Sequence, residues 1–162
     1  MGVRHMKVNR IPTLLIYSDW LEKAKHELSR FEQSCNVYDM ANCFLTLNAL
    51  PEWVAKDDRS TPELKEIATR KISIMKGQDF ELDENKLNEL DHQLRLIRLF
   101  CNHSKHGDKK KQFKHIAMGP DEPFKMDFPI KFDNLFVGSK LIKINVVLEN
   151  VINFWSDKFE DA

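Results

Sequence analysis

Apolar residues recur at steps of three and four along most of this chain, the pattern of helices that each bury one face. Between Ile11 and Cys35, the residues Tyr17, Trp20, Leu21, Ala24, Leu28 and Phe31 share one side. Pro12 opens that segment, and Thr13 or Ser18 is placed to cap its helix. A second helix is predicted over Val37–Lys56 from Met40, Ala41, Phe44, Leu45, Leu47 and Val54. Pro51 lies inside it and predicts a kink or break near Ala49–Glu52. The polar run Asp57–Pro62 predicts a loop. Ser60 or Thr61 can cap a third helix there, with Pro62 in the first turn, Glu63 and Glu66 near the positive end, and Gly77 as the left-handed stop. Asp83 precedes a fourth, long helix over Glu84–Ser104, striped by Leu87, Leu90, Leu94, Ile97 and Cys101.

The period then changes. Phe124, Met126, Phe128, Ile130 and Phe132 alternate with other residues, which predicts a half-buried strand, placed at an edge by Pro129. Leu135–Ile144 carries Gly138 and Ser139 at its centre and reads as a two-residue hairpin, with a further strand within Phe113–Met118. From Asn145 the helical period returns through Val147, Leu148, Val151, Ile152, Trp155 and Phe159. The expected fold is mainly α: a bundle of about five helices, with a small antiparallel sheet at about 112–144 inserted before the C-terminal helix. Residues 11–162 read as a single domain. Residues 1–10 read as a disordered N-terminus, in which Met1–Met6 (MGVRHM) has the character of an appended remnant.

Composition narrows the function classes. The 162 residues include 25 Lys+Arg and 25 Asp+Glu, a net charge of zero, so an anionic partner has to be held by a local patch. No apolar run approaches the roughly 20 residues of a membrane span. Cys35, Cys43 and Cys101 form no CxxC pair and read as buried thiols of a cytoplasmic protein. Trp20, Trp53 and Trp155 read as packing residues. The five glycines form no phosphate-binding loop. His103-x2-His106, with Asp108 nearby, lacks the further ligands a metal site needs. No metal and no cofactor is expected.

The chemistry concentrates in Arg95–His115 (RLIRLFCNHSKHGDKKKQFKH). Lys105, Lys109, Lys110, Lys111 and Lys114 stand there against one acid, Asp108. Cations at a helix C-terminus are favoured by the helix dipole alone; the same cluster also suits phosphate binding. With about 100° per residue and Arg98 at zero, Asn102 falls near 40°, Lys105 near −20° and His106 near 80°, while His103 falls near 140°. Arg98, Asn102, Lys105 and His106 therefore form one polar ridge beside the apolar stripe. Arg can stabilise phosphoryl charge, His can move protons near neutral pH, and Asn can orient a hydroxyl. The same groups could instead tie the fold together by buried hydrogen bonds.

The stretch Arg98–His106 (RLFCNHSKH) resembles the R…NxxKH helix end of a set of small bacterial helical proteins. Asp39–Val54 (DMANCFLTLNALPEWV) and Val147–Phe159 (VLENVINFWSDKF) are similar to that set's second and closing helices. The set is in turn similar to the HEPN superfamily of helical bundles, many of which are metal-independent endoribonucleases of toxin–antitoxin and phage-defence systems. Their hallmark, Arg followed after four to six residues by His, is met by Arg98 and His103, although Leu99 stands where the hallmark has a polar residue. The resemblance implies a homodimer acting on RNA, with an antitoxin or other protein as partner. It gives Arg98 to phosphate stabilisation and His103 to proton transfer, whereas the helical ridge favours His106. In that reading Asn102 orients substrate and the five lysines hold phosphates. The alternative is a non-catalytic helical interaction module whose sheet offers an edge for pairing.

Overall fold

The computed structural model describes residues 14–106, 116–119 and 133–162, with side chains described at 14–102 and 133–162. The described chain is mainly helical, with a small antiparallel sheet before the C-terminal helix: α1 (Tyr17–Ser34), α2 (Val37–Lys56), α3 (Pro62–Lys76), α4 (Leu90–His106), β1 (Ile116–Gly119), β2 (Asn134–Val137), β3 (Lys140–Lys143) and α5 (Ile144–Asp161). No described helix is long and apolar enough to cross a membrane.

The central element is α2. It touches α1, α3, α4 and α5, because its sequence is apolar on more than one side. Met40, Cys43, Phe44, Leu47, Leu50 and Val54 are all fully buried. Phe44 meets Phe100 of α4 with ring centroids 4.7 Å apart, and Trp155 of α5 is sealed in the same core. Pro51 does not break α2, which runs unbroken through it. Leu47, Leu50 and Val54 on both sides of the proline are held in the core, and that packing outweighs the one backbone bond that proline cannot donate. Between α1 and α2 lies a partly buried polar cluster. Lys23 Nζ lies 2.9 Å from both Glu27 carboxylate oxygens and donates to Thr46 Oγ1 at 2.6 Å.

Local signals set most helix ends. Thr61 Oγ1 accepts from Leu64 N at 3.2 Å and caps α3. The neighbouring Ser60 donates instead to Val54 O at 2.7 Å and closes the end of α2. Gly77 stops α3 at φ +73°. The start of α1 differs from expectation. Ser18 does not cap it; Ile16 occupies the cap position and the Asp19 carboxylate accepts from Leu15 N and Ile16 N. Residues 11–13 of the expected helix lie outside the described residues.

The fourth helix also starts later than its spacing implies. Glu84–Lys86 form a single 3-10 turn, capped by Asp83, and α4 begins only at Leu90. Two tertiary bonds hold this turn away from the helix: Asp83 N donates to His92 Nδ1 at 3.1 Å and Gln93 Nε2 donates to Leu87 O at 2.9 Å. Leu87 thereby reaches the core without belonging to the helix.

The strands form an antiparallel sheet in the order β1-β2-β3, with Leu135 opposite Ile142 and Met118. Gly138 and Ser139 form the hairpin turn as expected, Gly138 at φ +59°, which suits the first position of a II′ turn. The Glu84 carboxylate accepts from Ser139 N at 3.3 Å and binds the turn to the 3-10 segment. The strand expected at Phe124–Phe132 lies outside the described residues. β3 passes directly into α5, whose Val147, Leu148, Val151, Ile152 and Trp155 are buried as its period predicts.

Replacing Gly77 tests the α3 stop. A Cβ there would sit 2.8 Å from the Arg95 guanidinium carbon, on backbone that L side chains rarely adopt. Gly77→Ala should lower stability by about 1–2 kcal/mol in a urea titration.

Candidate functional site

The candidate site is the C-terminal half of α4. This helix is regular through His106, so helical geometry keeps Arg98, Asn102, Lys105 and His106 along one side and His103 on another. The side chains of His103, Lys105 and His106 lie outside the described residues, as do Lys109, Lys110, Lys111 and Lys114 entirely. Leu99, Phe100 and Cys101 point into the core. Leu99, directly after Arg98, is thus a packing residue. Cys101 is buried with Sγ 3.5 Å from Phe44 O. Cys43 is buried as well, and burial followed by the Glu27 charge pushes its thiol up to about 12; it stays protonated and unreactive at neutral pH. Cys35, by contrast, is only partly covered and forms the left-handed cap of α1 at φ +48°.

Arg98 is half-buried. Its Nη1 donates to Asn48 Oδ1 on α2 across a long 3.5 Å, and its Nε is buried with no hydrogen-bond partner. Among the described residues no carboxylate pairs with it. One turn earlier, Arg95 Nη1 donates to Met75 O at 2.7 Å and so satisfies a carbonyl at the end of α3. Burial, and then the Arg98 charge, push the Arg95 guanidinium down from its ordinary value. Two guanidinium groups are therefore placed near each other on α4, Arg95 bonded to α3 at 2.7 Å and Arg98 to α2 only across the longer 3.5 Å. Asn102 is half-buried, and its side chain makes no hydrogen bond among the described residues.

Asn48 was not among the residues singled out from sequence. Its one signal is a polar side chain within the apolar run Phe44–Pro51, where a buried amide needs a partner; that the partner is Arg98, fifty positions away, becomes visible only when α2 and α4 pack. Among the described residues there is no group of three or more His, Cys, Asp or Glu able to hold a metal ion.

A cavity of about 710 Å³ lies elsewhere, between the start of α1, the end of α2 and the following loop; Leu15, Ala49, Glu52, Trp53 and Lys56 line it with residues 57–59. Of the ridge residues whose side chains are described, neither Arg98 nor Asn102 lines it. At its edge the Asp57 side chain, 5 % exposed, accepts from Tyr17 N at 3.1 Å and Arg59 N at 2.9 Å, and pairs with the Arg59 guanidinium at 3.2 Å. It joins the first turn of α1 to the end of α2. Burial opposes the charged form, but these hydrogen bonds and the Arg59 charge outweigh it and hold the carboxyl below its ordinary value of 3.8. No family model, curated protein or solved structure matches this chain.

Removing the Asn48 amide should leave the inward face of Arg98 without a partner. Asn48→Leu is expected to cost about 1–3 kcal/mol in chemical denaturation. A carboxyl whose folded value is depressed stabilises fully above its unfolded value and loses that contribution as pH falls through the folded one. The melting-temperature gap between the native protein and Asp57→Asn should therefore be constant near neutral pH and shrink below about pH 4.

Proposed function

We propose that the end of α4 handles a phosphodiester and that the protein is a metal-independent endoribonuclease of the HEPN kind. The observation that carries this reading is that Arg98 has no carboxylate partner, and the Asn102 side chain no hydrogen bond, among the described residues. Burying a guanidinium without neutralising it costs stability, and an anionic ligand at that place would recover the loss. Arg98 would stabilise charge on the phosphoryl oxygens as the transition state forms. Asn102 would orient the ribose 2′-hydroxyl. His103 or His106 would accept the 2′ proton while the 2′ oxygen attacks phosphorus and the bond to the 5′ oxygen breaks. Proton return to that oxygen leaves a 2′,3′-cyclic phosphate and a 5′-hydroxyl, with no metal in the step. Lys105, Lys109, Lys110, Lys111 and Lys114 would hold flanking phosphates, which makes binding fall with added salt. In this reading the protein is a cytoplasmic homodimer that cleaves RNA in phage defence or as a toxin, restrained by an antitoxin or other protein.

A second reading, a non-catalytic interaction module, is favoured by the Arg98–Asn48 bond, which links α4 to α2 and gives Arg98 a part in the fold.

Incubating RNA with the protein in EDTA separates the two. Cleavage ending in cyclic phosphate is expected, and Arg98→Ala or the double change His103→Ala with His106→Ala should lower its rate by about 10²-fold or more. Intact RNA in EDTA, or cleavage untouched by these changes, removes the nuclease reading.

A further inference from the structure

The cavity at the end of α2 is lined by neither Arg98 nor Asn102, and its walls specify a ligand chemistry of their own. Its volume falls in the range of small-molecule sites. Leu15, Ala49 and Trp53 supply apolar wall. Trp53 is 37 % exposed, while its indole stacks on Trp20 with centroids 4.8 Å apart and planes 28° apart. The stacked pair holds the Trp53 ring still and presents it to the cavity. This indole pair already carries one cation, since Lys23 Nζ sits 6.0 Å from the Trp20 ring centroid.

The charges around the cavity select the sign of an occupant. Glu52, Asp57 and Asp58 stand against Lys56 and Arg59. Lys56 pairs with Glu52 at 3.8 Å and Arg59 with Asp57 at 3.2 Å. Asp58 is exposed and has neither ion pair nor hydrogen bond among the described residues, so one carboxylate is left over. The carbonyl end of α2 lies at the same place and adds partial negative charge. The positive start of α1 is already met by Asp19 and Asp57. An entering anion would face the one carboxylate left over and a helix C-terminus. A cation would find an open aromatic face and a free carboxylate.

We propose that this cavity is a binding site for a small organic cation, an ammonium group on an apolar body, with the cationic head at Asp58 and its body against Trp53.

Titration of the full chain with benzyltrimethylammonium chloride, read by tryptophan fluorescence and by calorimetry, tests this; sodium benzoate serves as the anionic counterpart. Trp155 is fully buried, so a ligand in the cavity reports through Trp53 and Trp20. A saturable response to the ammonium and none to benzoate are expected. Asp58→Asn should weaken binding by about three- to fivefold. Asp58→Lys and Trp53→Leu should each abolish it. A response that never saturates, equal binding of benzoate, or unchanged affinity in Asp58→Lys overturns the proposal. Circular dichroism checks each variant for folding; should Trp53→Leu fail that check, the two Asp58 variants decide, because that side chain bonds to no described part of the fold.

Discussion

A helix that is apolar on several sides has to be enclosed by other elements, and α2 is such a helix. Met40, Phe44, Leu47, Leu50 and Val54 are removed from water together, which is possible only if α1, α3, α4 and α5 all lie against it. The positions of the other helices follow from that enclosure. It also accounts for Pro51, a residue that would end an exposed helix and here stays within one. Two polar groupings enter this interior in company: Lys23, Glu27 and Thr46 satisfy one another between α1 and α2, and Gln93 of α4 is held by Leu87 O and Asn150. Within that setting Arg98 is conspicuous, because its single described bond is long and its Nε has none.

Features fixed by short-range chemistry were legible in the sequence. Thr61 with Pro62, Gly77, and the pair Gly138 and Ser139 each act within a few residues, so the ends of α3 and the hairpin turn could be read directly. The stripe on α5 was equally plain, since Val147 through Trp155 keep one period throughout. The start of α4 was misread because Leu87 and Leu90 keep a helical spacing whether or not a helix joins them. What separates them is the bond from Asp83 N to His92, and a bond across nine positions leaves no periodic trace. The start of α1 differs for a related reason: the Ser18 hydroxyl suggests the usual cap, while Asp19 reaches back to do the same work from inside the first turn.

The candidate site divides along the same line. That Arg98 and Asn102 share a face of α4 follows from helical geometry, and sequence alone supplied it. That Arg98 meets Asn48, and that Arg95 is committed to the end of α3, depends on which helices become neighbours. The cavity beside Trp53 was hidden more completely. Trp20 and Trp53 read as packing residues, and their stack does pack; what sequence does not disclose is that one of the two rings remains open on the side where the chain turns away after Lys56.

The direct passage from β3 into α5 carries a mechanical consequence. Lys143 ends the strand and Ile144 begins the helix with no intervening residue, and Ile144 N is tied to Asp133 O at 2.9 Å. Hairpin pairing and helix rotation are thereby geared together. A one-residue slip between β2 and β3 would turn α5 by about 100° about its axis and carry Trp155 away from its seat. The small sheet thus works as an indexing pin: the phase of the closing helix is dictated by which residues of the hairpin face each other.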